Sequence, residues 1–400
     1  MVHREGTNLN NHIVGKLIQD DAVILRQVRE MLDAAQVPGA TVGLMVDGQV
    51  WSEGVGHEDV DRAGLITASA RFGVYSVTKT VIATIVLKLV EAGSISLDAP
   101  VQDFLPGAPV GRNPDHALRG IQDRSPVEIP GAGPESTQQR VQQIPESLSG
   151  FGMTVRQLLN HTGGVPDYGG LADYHEDVHS EPGNPWTAEH FLTRTLANGL
   201  LFAPGTGWRY SNVGYLLLRL MIERVSGESF REVVRHYVAK PLGLREFGVA
   251  DSLEAMADLT PGYTGEPMRN IISHYHPGWV SHGLVTSSVS DLARFLDALM
   301  TGAFVTEASL QEMLVAVPVG ASHPWMTVPS YGAGLMIDTA NRFGIVAGHT
   351  GGGPGYSTAA YHFPDVDGHR VTSVALVNRD GSDLATDIAF TMVQGLAGKG

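Results

Sequence analysis

The sequence predicts an α+β fold: an antiparallel sheet flanked by terminal helices, with an inserted all-helical domain. Strand patterns occur at both ends of the 400-residue chain, whereas helical patterns fill its middle. Each end also carries a hairpin signal between two extended runs, Asp47-Gly48 near the N-terminus and Asp367-Gly368 near the C-terminus. The two ends are therefore expected to supply one sheet.

The first elements follow from the spacing of apolar residues. Apolar side chains at helical intervals predict a helix over residues 22–35. Two extended runs around the first hairpin signal predict strands over 40–46 and 49–55. Residues 77–92 are apolar nearly all the way round and end at Gly93, which predicts a buried helix.

The same criteria place the remaining elements. Further helices are predicted over residues 153–160, 187–197, 213–225, 230–238, 289–300 and 382–396. Strands are predicted over residues 331–338, 343–348, 357–363 and 370–378. We find no internal repeat.

This order of elements divides the chain into two domains. Residues 1–99 and 285–400 are assigned to the sheet domain, and residues 100–284 to the helical domain. Within the latter, residues 107–150 contain six prolines and almost no apolar periodicity. We interpret this Pro/Gly-rich stretch as a long surface insertion, because structureless loops of that length are uncommon inside compact domains.

Composition excludes several classes of function. Lys and Arg total 27 against 42 Asp and Glu, and the net charge of −15 argues against binding to nucleic acid or to an acidic membrane surface. The absence of cysteine excludes disulfides, thiolate metal sites and a cysteine nucleophile. The N-terminus lacks a secretory pattern, and the longest apolar run is about half of the roughly 20 residues that span a membrane. We therefore expect a cytoplasmic protein.

Ser76-Val77-Thr78-Lys79 is an S-x-x-K motif at the start of the buried helix. A serine hydroxyl needs a base, and a lysine one turn later lies on the same helix face. Burial would lower the lysine pKa from its usual value of about 10.4 toward the neutral range. Free N–H groups at the helix start also favour a developing oxyanion. Because so short a motif arises readily by chance, its position is what carries the interpretation.

Two further segments contain candidate site residues. Tyr210-Ser211-Asn212 precedes a helix, where Tyr210 could relay protons and Asn212 could hold an acyl substrate. The alternative is a helix N-cap with a core tyrosine. His349-Thr350 and the glycines that follow end a strand pattern, so a substrate backbone could approach closely and an N–H could complete an oxyanion hole. The alternative there is a glycine turn.

In this order, the three segments resemble the penicillin-recognising serine hydrolases, and most of all their class C β-lactamase-like branch. That branch includes D,D-carboxypeptidases, D-amino-acid amidases and aminopeptidases, and family VIII esterases. The resemblance runs from about residue 20 to 395 and includes the segments 158–168 and 283–292. It implies a β-lactamase/transpeptidase-like fold.

The resemblance also implies roles for individual residues. Ser76 would be the acylated nucleophile, Lys79 and Tyr210 would share general acid–base work, and Asn212 would contact the substrate. The backbone N–H groups of Ser76 and Gly352 would form the oxyanion hole.

Two features depart from the family pattern. His349 stands where many members carry lysine, so a fixed positive charge near the substrate carboxylate is missing, and His349 is expected to bind substrate less firmly. The insertion over residues 107–150 is longer than expected and could cover the site.

Other histidines suggest competing sites. His175-Glu176-Asp177-Val178-His179 matches the H-E-x-x-H zinc motif, but it is polar all round and lies between Gly and Pro residues, so we interpret it as an acidic surface loop. His161-Thr162-Gly163 follows a helix and is interpreted as structural. Three more histidines lack an acidic partner at ligand spacing and are assigned to a solvated or site-lining loop: His274, His276 and His282. We expect neither a metal nor another cofactor.

These observations lead to one main hypothesis and two alternatives. The chain is expected to be a serine hydrolase that cleaves small-molecule carboxylic esters or amides through a covalent acyl-enzyme on Ser76. A D,D-carboxypeptidase/β-lactamase or a D-aminopeptidase is the first alternative, and it ranks lower because cell-wall enzymes act outside the cytoplasm. A non-catalytic binding member of the fold is the second. The acyl group, the stereochemical preference and the oligomeric state are left open.

Overall fold

The computed structural model describes residues 22–105 and 152–397. Its strands are β1 (Gly39–Val46), β2 (Gln49–Gly56), β3 (Phe72–Gly73), β4 (Gly248–Ala250), β5 (Tyr263–Thr264), β6 (Arg269–Asn270), β7 (Leu284–Ser287), β8 (Val317–Pro318), β9 (Pro329–Tyr331), β10 (Met336–Asn341), β11 (Gly344–Gly353), β12 (Tyr356–Val366) and β13 (His369–Val377).

The α-helices are α1 (residues 22–34), α2 (Thr78–Glu91), α3 (Val155–Leu159), α4 (Ala172–Ser180), α5 (Ala188–Leu196), α6 (Asn212–Ser226), α7 (Phe230–Val234), α8 (Lys240–Leu242), α9 (Leu253–Ala257), α10 (Val289–Met300), α11 (Glu307–Met313) and α12 (Leu384–Leu396). A short π-helical segment, Arg235–Ala239, joins α7 to α8.

Eight of the strands form one antiparallel sheet in the order β2-β1-β13-β12-β11-β10-β9-β8. The first strand pairs with the last, from Ala40 opposite Val377 to Val46 opposite Val371. The two ends of the chain therefore build one sheet, as predicted. Both hairpin turns place their two central residues at positive φ, which is the backbone that Asp-Gly favours between twisted strands.

Helices cover both faces of this sheet. On one face, Val28 of α1 and Ile388 of α12 pack with Val42 and Leu44 of β1, all of them buried. The other face lies against α10, and the apolar core there continues into α2 and α6. The predicted flanking of the sheet by terminal helices is confirmed.

A second, three-stranded sheet in the order β3-β7-β4 supports the start of α2. Val74 N donates to Val285 O at 2.8 Å, and Val285 N donates to Thr78 Oγ1 at 3.1 Å. The sequence analysis missed β7, because its small polar residues Thr286 and Ser287 carry no strand-like alternation. This strand fixes the turn that leads into the buried helix.

Three predictions about local structure are wrong. Residues 331–338 are two strands, since β9 ends at Tyr331 and a turn with Gly334 at φ +72° precedes β10. The strand predicted to end at residue 348 continues to Gly353, because pairing with β12 holds the glycines in extended backbone. The segment assigned to an acidic loop forms α4, although none of its residues is buried.

Helices α3 to α9 lie between the two parts of the large sheet, where the helical domain was expected. The division into domains at residues 99–100 and 284–285 stays a prediction, and the insertion predicted over residues 107–150 lies outside the described residues. Within the described part of the chain, no helix combines the length and the apolar character needed to cross a bilayer.

Candidate active site

Ser76 lies in a tight 3₁₀ turn, Tyr75–Val77, directly before α2. Tyr75 has φ +43°, a strained value for a bulky residue that persists only where its surroundings hold it. Here the Tyr75 hydroxyl donates to the Pro354 carbonyl, and Val74 is bonded to β7. This support ties the serine to the glycine-rich end of β11.

Lys79 is fully buried one turn after the serine. Its Nζ lies 3.0 Å from Ser76 Oγ, 2.7 Å from Asn212 Oδ1 and 3.3 Å from His282 Nε2. Burial lowers the pKa of Lys79 to about 7, against the opposing effect of the Asp167 carboxylate. Near neutral pH a substantial fraction of this lysine is therefore an uncharged amine beside the serine hydroxyl.

Tyr210 lies just before α6, and Lys79 Nζ is 4.8 Å from the centre of its ring. Burial raises the pKa of Tyr210 well above its usual value, although a hydrogen bond with Ser76 acts in the other direction. Its phenol therefore keeps its proton at neutral pH. The structure brings Ser76, Lys79 and Tyr210 together from segments far apart in the sequence.

Asn212 is the first residue of α6, after the N-cap Ser211. Asp167 orients its amide: Asn212 N donates to Asp167 Oδ1 at 2.9 Å, and Asn212 Nδ2 donates to Asp167 Oδ2 at 3.0 Å. With its NH₂ group held there, Asn212 must point its Oδ1 toward Lys79. Asp167 lies within the segment 158–168 that carries part of the family resemblance, and the sequence analysis assigned it no role.

His349 is buried on β11, with both ring nitrogens bonded inside the protein. Its Nδ1 lies 2.5 Å from the Thr350 carbonyl, which can only accept, so Nδ1 carries the proton. Its Nε2 then accepts from the Tyr331 hydroxyl at 2.8 Å. Burial, together with the nearby Lys79, lowers the pKa of His349 to about 3. The direct substrate contact predicted for this neutral ring stays a prediction.

The last five residues of β11 form an open edge of the sheet. Pairing with β10 begins at Gly348, so residues 349–353 have no strand beside them on that side in the described chain. A Cβ on Gly351 would lie 2.2 Å from Val74 O and 3.1 Å from Ser76 N. Glycine at 351 is thus what allows the strand to approach the serine turn. The oxyanion hole predicted from the N–H groups of Ser76 and Gly352 stays a prediction.

Two histidines that were not among the predicted catalytic and binding residues contact the site. The ring of His161 lies 4.4 Å from that of Tyr210, and its Nδ1 accepts from Ser211 N at 3.2 Å. His282 is buried against Lys79, whereas His274 on the same loop is exposed. Single-sequence patterns carried no signal for either contact beyond the suggestion of a site-lining loop.

Within residues 22–105 and 152–397, no group of three or more His, Cys, Asp or Glu side chains could hold a metal ion. His175 of the H-E-x-x-H motif lies with Nε2 2.8 Å from the Gly169 carbonyl. Ser76, Lys79 and Tyr210 place a hydroxyl, an amine of lowered pKa and a protonated phenol beside the strand edge, and such a set of groups could support acyl transfer.

The chain is similar to known proteins over much of its length. The family model described as Beta-lactamase matches residues 24–395. A penicillin-binding protein of Bacillus subtilis (strain 168) is 32% identical over 250 residues, covering 58% of this chain and 53% of that protein. Esterase EstB of Burkholderia gladioli is 29% identical over 248 residues, covering 62% and 55%. The chain thus spans about half the length of these relatives.

The fold also matches a solved structure over nearly its whole length. A D-stereospecific amidohydrolase from Streptomyces sp. superposes with a TM-score of 0.68 at 27% identity. The match covers 92% of this chain and 98% of that one.

Proposed function

The chain belongs to the beta-lactamase family, and on that premise we propose that it is a serine hydrolase that cleaves carboxylic esters or amides through a covalent acyl-enzyme on Ser76. One observation carries the proposal: a buried lysine whose pKa is about 7 lies 3.0 Å from the serine hydroxyl. A lysine in solution is charged at neutral pH and cannot accept a proton, whereas this one can.

Acylation is possible because Lys79 can be a neutral amine while Tyr210 keeps its proton. Neutral Lys79 takes the proton of Ser76 Oγ while that oxygen forms a bond to the substrate carbonyl carbon. The electron pair displaced onto the carbonyl oxygen is stabilised by the N–H groups of Ser76 and Gly352. When the tetrahedral intermediate collapses, the leaving group takes a proton from the Tyr210 hydroxyl, which is restored from the Lys79 ammonium.

Deacylation repeats these steps with water. Water gives a proton to the Lys79–Tyr210 pair as its oxygen attacks the acyl carbon, and Ser76 Oγ leaves and recovers its proton. Asn212 holds the amine in place throughout and contacts the substrate. The products are a carboxylic acid and free enzyme, and no cofactor takes part.

The character of His349 favours substrates without an essential carboxylate. Its ring is neutral and both its nitrogens are bonded to Tyr331 and Thr350, so it supplies no positive charge to an anionic substrate. We propose that His349 contributes to substrate binding by holding Tyr331 beside the site. Losing one charge-assisted contact corresponds to about 1.5–3 kcal/mol, which disfavours β-lactams and cell-wall peptides relative to neutral esters.

Amides of D-amino acids are a second candidate substrate class. They are supported by the likeness to the Streptomyces D-stereospecific amidohydrolase, which covers 92% of this chain. Tyr210 supplies the leaving-group proton that an amide requires and an activated ester does not.

Covalent labelling tests the nucleophile. After treatment with a fluorophosphonate, intact mass and peptide mapping should show one adduct, on Ser76. The Ser76→Ala variant should be unlabelled and inactive. An adduct elsewhere, or turnover by this variant, would overturn the proposal.

A substrate panel tests the class. We expect kcat/KM on a single preparation to decrease in the order p-nitrophenyl butyrate, D-alaninamide, nitrocefin. D-alaninamide in first place would favour the amidase, and nitrocefin in first place would favour a β-lactamase.

The proposal includes the cytoplasmic location expected from the sequence. Fractionation of producing cells into cytoplasm, membrane and medium, followed by immunoblotting, tests it directly. Recovery of the protein mainly in the medium would contradict it.

A further inference from the structure

His282 is the third hydrogen-bond partner of the Lys79 amine. It lies in the loop just before β7, is 2% exposed, and presents Nε2 at 3.3 Å from Lys79 Nζ. The next residue, Gly283, has φ +94°, and a Cβ there would lie 2.7 Å from the Phe230 ring. Glycine at 283 therefore allows the loop to pass close to the Phe230 ring, and the buried imidazole lies there against the amine.

The donors and acceptors around Lys79 Nζ show what this contact does. A neutral amine has two N–H donors and one lone pair, and three partners surround it at hydrogen-bond distance. Asn212 Oδ1 can only accept, so it takes one N–H. If His282 Nε2 takes the second, the lone pair is left for the Ser76 hydroxyl. Without a second acceptor, the amine can rotate and offer Ser76 an N–H instead.

We propose that His282 is a positioning residue: its Nε2 accepts a hydrogen bond from Lys79 Nζ and thereby directs the lysine lone pair at Ser76 Oγ. This inference rests on the proposed function, because it concerns the base of that reaction. It requires the neutral imidazole with its proton on Nδ1. In the described part of the chain, the His282 Nδ1 is buried and makes no hydrogen bond of normal geometry. The Tyr75 carbonyl acts to raise the pKa of the ring, and this favours a proton there.

The surroundings keep the imidazole neutral. Burial lowers the pKa of His282 well below its usual value, and the charges of Lys79 and Arg219 act in the same direction. The groups that face Lys79 itself are the hydroxyl of Ser76, the phenols of Tyr210 and Tyr215, the Asp167 carboxylate behind Asn212, and the neutral rings of His161, His282 and His349. Burial raises the pKa of both phenols and lowers the pKa of all three rings, so a titration near pH 7 reports Lys79.

NMR of the side chains tests the arrangement without turnover. The chain has five lysines, so ¹³Cε labelling of lysine should resolve Lys79, identified as the resonance lost in the Lys79→Arg variant. We expect His282→Leu to move this titration to lower pH by at least about one pH unit, because the ammonium form loses a buried acceptor. The His282→Gln variant keeps an acceptor, so its Lys79 titration should stay close to that of the wild type. In the wild type, ¹⁵N spectra should show the His282 proton on Nδ1.

Kinetics complete the test. The second-order rate of Ser76 labelling by a fluorophosphonate at pH 8 should fall about 10- to 100-fold in His282→Leu and less than about fivefold in His282→Gln. His274→Leu, the same change at an exposed position of the same loop, should label at the wild-type rate. A proton on Nε2, or a His282→Leu variant with unchanged Lys79 titration and labelling within threefold, would overturn the inference. If the wild type itself is not labelled at Ser76, the proposed function fails instead.

Discussion

At the scale of single residues, the site depends on two neighbours whose pKa values burial moves in opposite directions. A buried amine loses its charge, so the pKa of Lys79 falls to about 7, while a buried phenol keeps its proton, so the pKa of Tyr210 rises. The same desolvation thus leaves a proton acceptor and a proton donor side by side, with Lys79 Nζ 4.8 Å from the centre of the Tyr210 ring. Neither assignment needs a metal or a charged partner in contact.

The pH dependence of activity should report the lysine. Because only the neutral amine accepts the serine proton, kcat/KM for p-nitrophenyl butyrate should rise with pH through about 7 and fall tenfold per pH unit below it. We expect Lys79→Ala to lose at least 10³-fold in activity, together with this limb, since general base catalysis contributes about 10²–10⁴-fold. Lys240→Ala, at an exposed position, serves as the control. An unchanged limb in the Lys79 variant would contradict the assignment.

Removing the Tyr210 hydroxyl should affect substrates unequally. A p-nitrophenolate leaves without a proton, whereas an amine does not, so Tyr210→Phe should reduce kcat for D-alaninamide about 10²–10⁴-fold and for p-nitrophenyl butyrate much less. Steady-state kinetics on both substrates measure the difference. Tyr237→Phe, at a half-buried position away from the site, should leave both rates alone. Equal losses on both substrates would show that Tyr210 does not protonate the leaving group.

At the scale of elements, the end of β11 shows why one position requires glycine whereas the next should accept alanine. Alternate residues of a strand face opposite sides, so Gly351 and Gly353 face the serine turn and Gly352 faces away. A Cβ at 351 would meet Val74 O at 2.2 Å and Thr358 Oγ1 at 2.4 Å, while one at 352 meets nothing within 4 Å. Close approach of strand and turn therefore depends on position 351.

This contrast gives a matched pair of variants. Gly351→Ala should lower the free energy of unfolding by about 1–3 kcal/mol, as overpacking does. Gly352→Ala should stay within about 0.5 kcal/mol, because its Cβ enters open space and its N–H is retained. Urea unfolding of both proteins, followed by tryptophan fluorescence, measures the difference. Equal stabilities would mean that β11 does not approach the serine turn as closely as described.

At the scale of the whole molecule, several histidines are buried as neutral rings. His362 lies inside the large sheet, where burial lowers its pKa to about 4, and its Nδ1 bonds to Thr372 Oγ1 at 2.9 Å. The unfolded chain binds a proton at this residue near pH 6.5, and the folded protein does so only near pH 4. Proton uptake between those values therefore favours the unfolded state.

Stability should accordingly fall as the pH is lowered across this window. His362 contributes a slope of up to about 1.4 kcal/mol per pH unit between pH 6.5 and 4, with stability greatest above pH 6.5. We expect His362→Asn to unfold with a shallower dependence of its free energy on pH there, measured by urea titration at several pH values. His274→Gln, at an exposed site, should keep the wild-type slope. An identical slope in His362→Asn would show that this ring is protonated in the folded protein.

Local patterns were sufficient for most elements, and they failed where the decisive contacts are not local. The Asp-Gly turns and the all-round apolar α2 are properties of neighbouring residues, and they were predicted. The strand β7 and the extension of β11 through its glycines were missed, because pairing with distant strands, not intrinsic preference, holds those residues extended.

The sequence by itself determined the fold class, the family resemblance and the candidate residues Ser76, Lys79 and Tyr210, because each belongs to a short motif beside a recognisable element. Only the tertiary structure decided which groups surround the lysine. Asn212 and His282 contact Lys79 across 133 and 203 residues of chain, and no local periodicity encodes such a meeting. Burial depends on the packing of all these segments, and it is burial that lowers the pKa of Lys79 to about 7 and leaves part of it as a neutral amine.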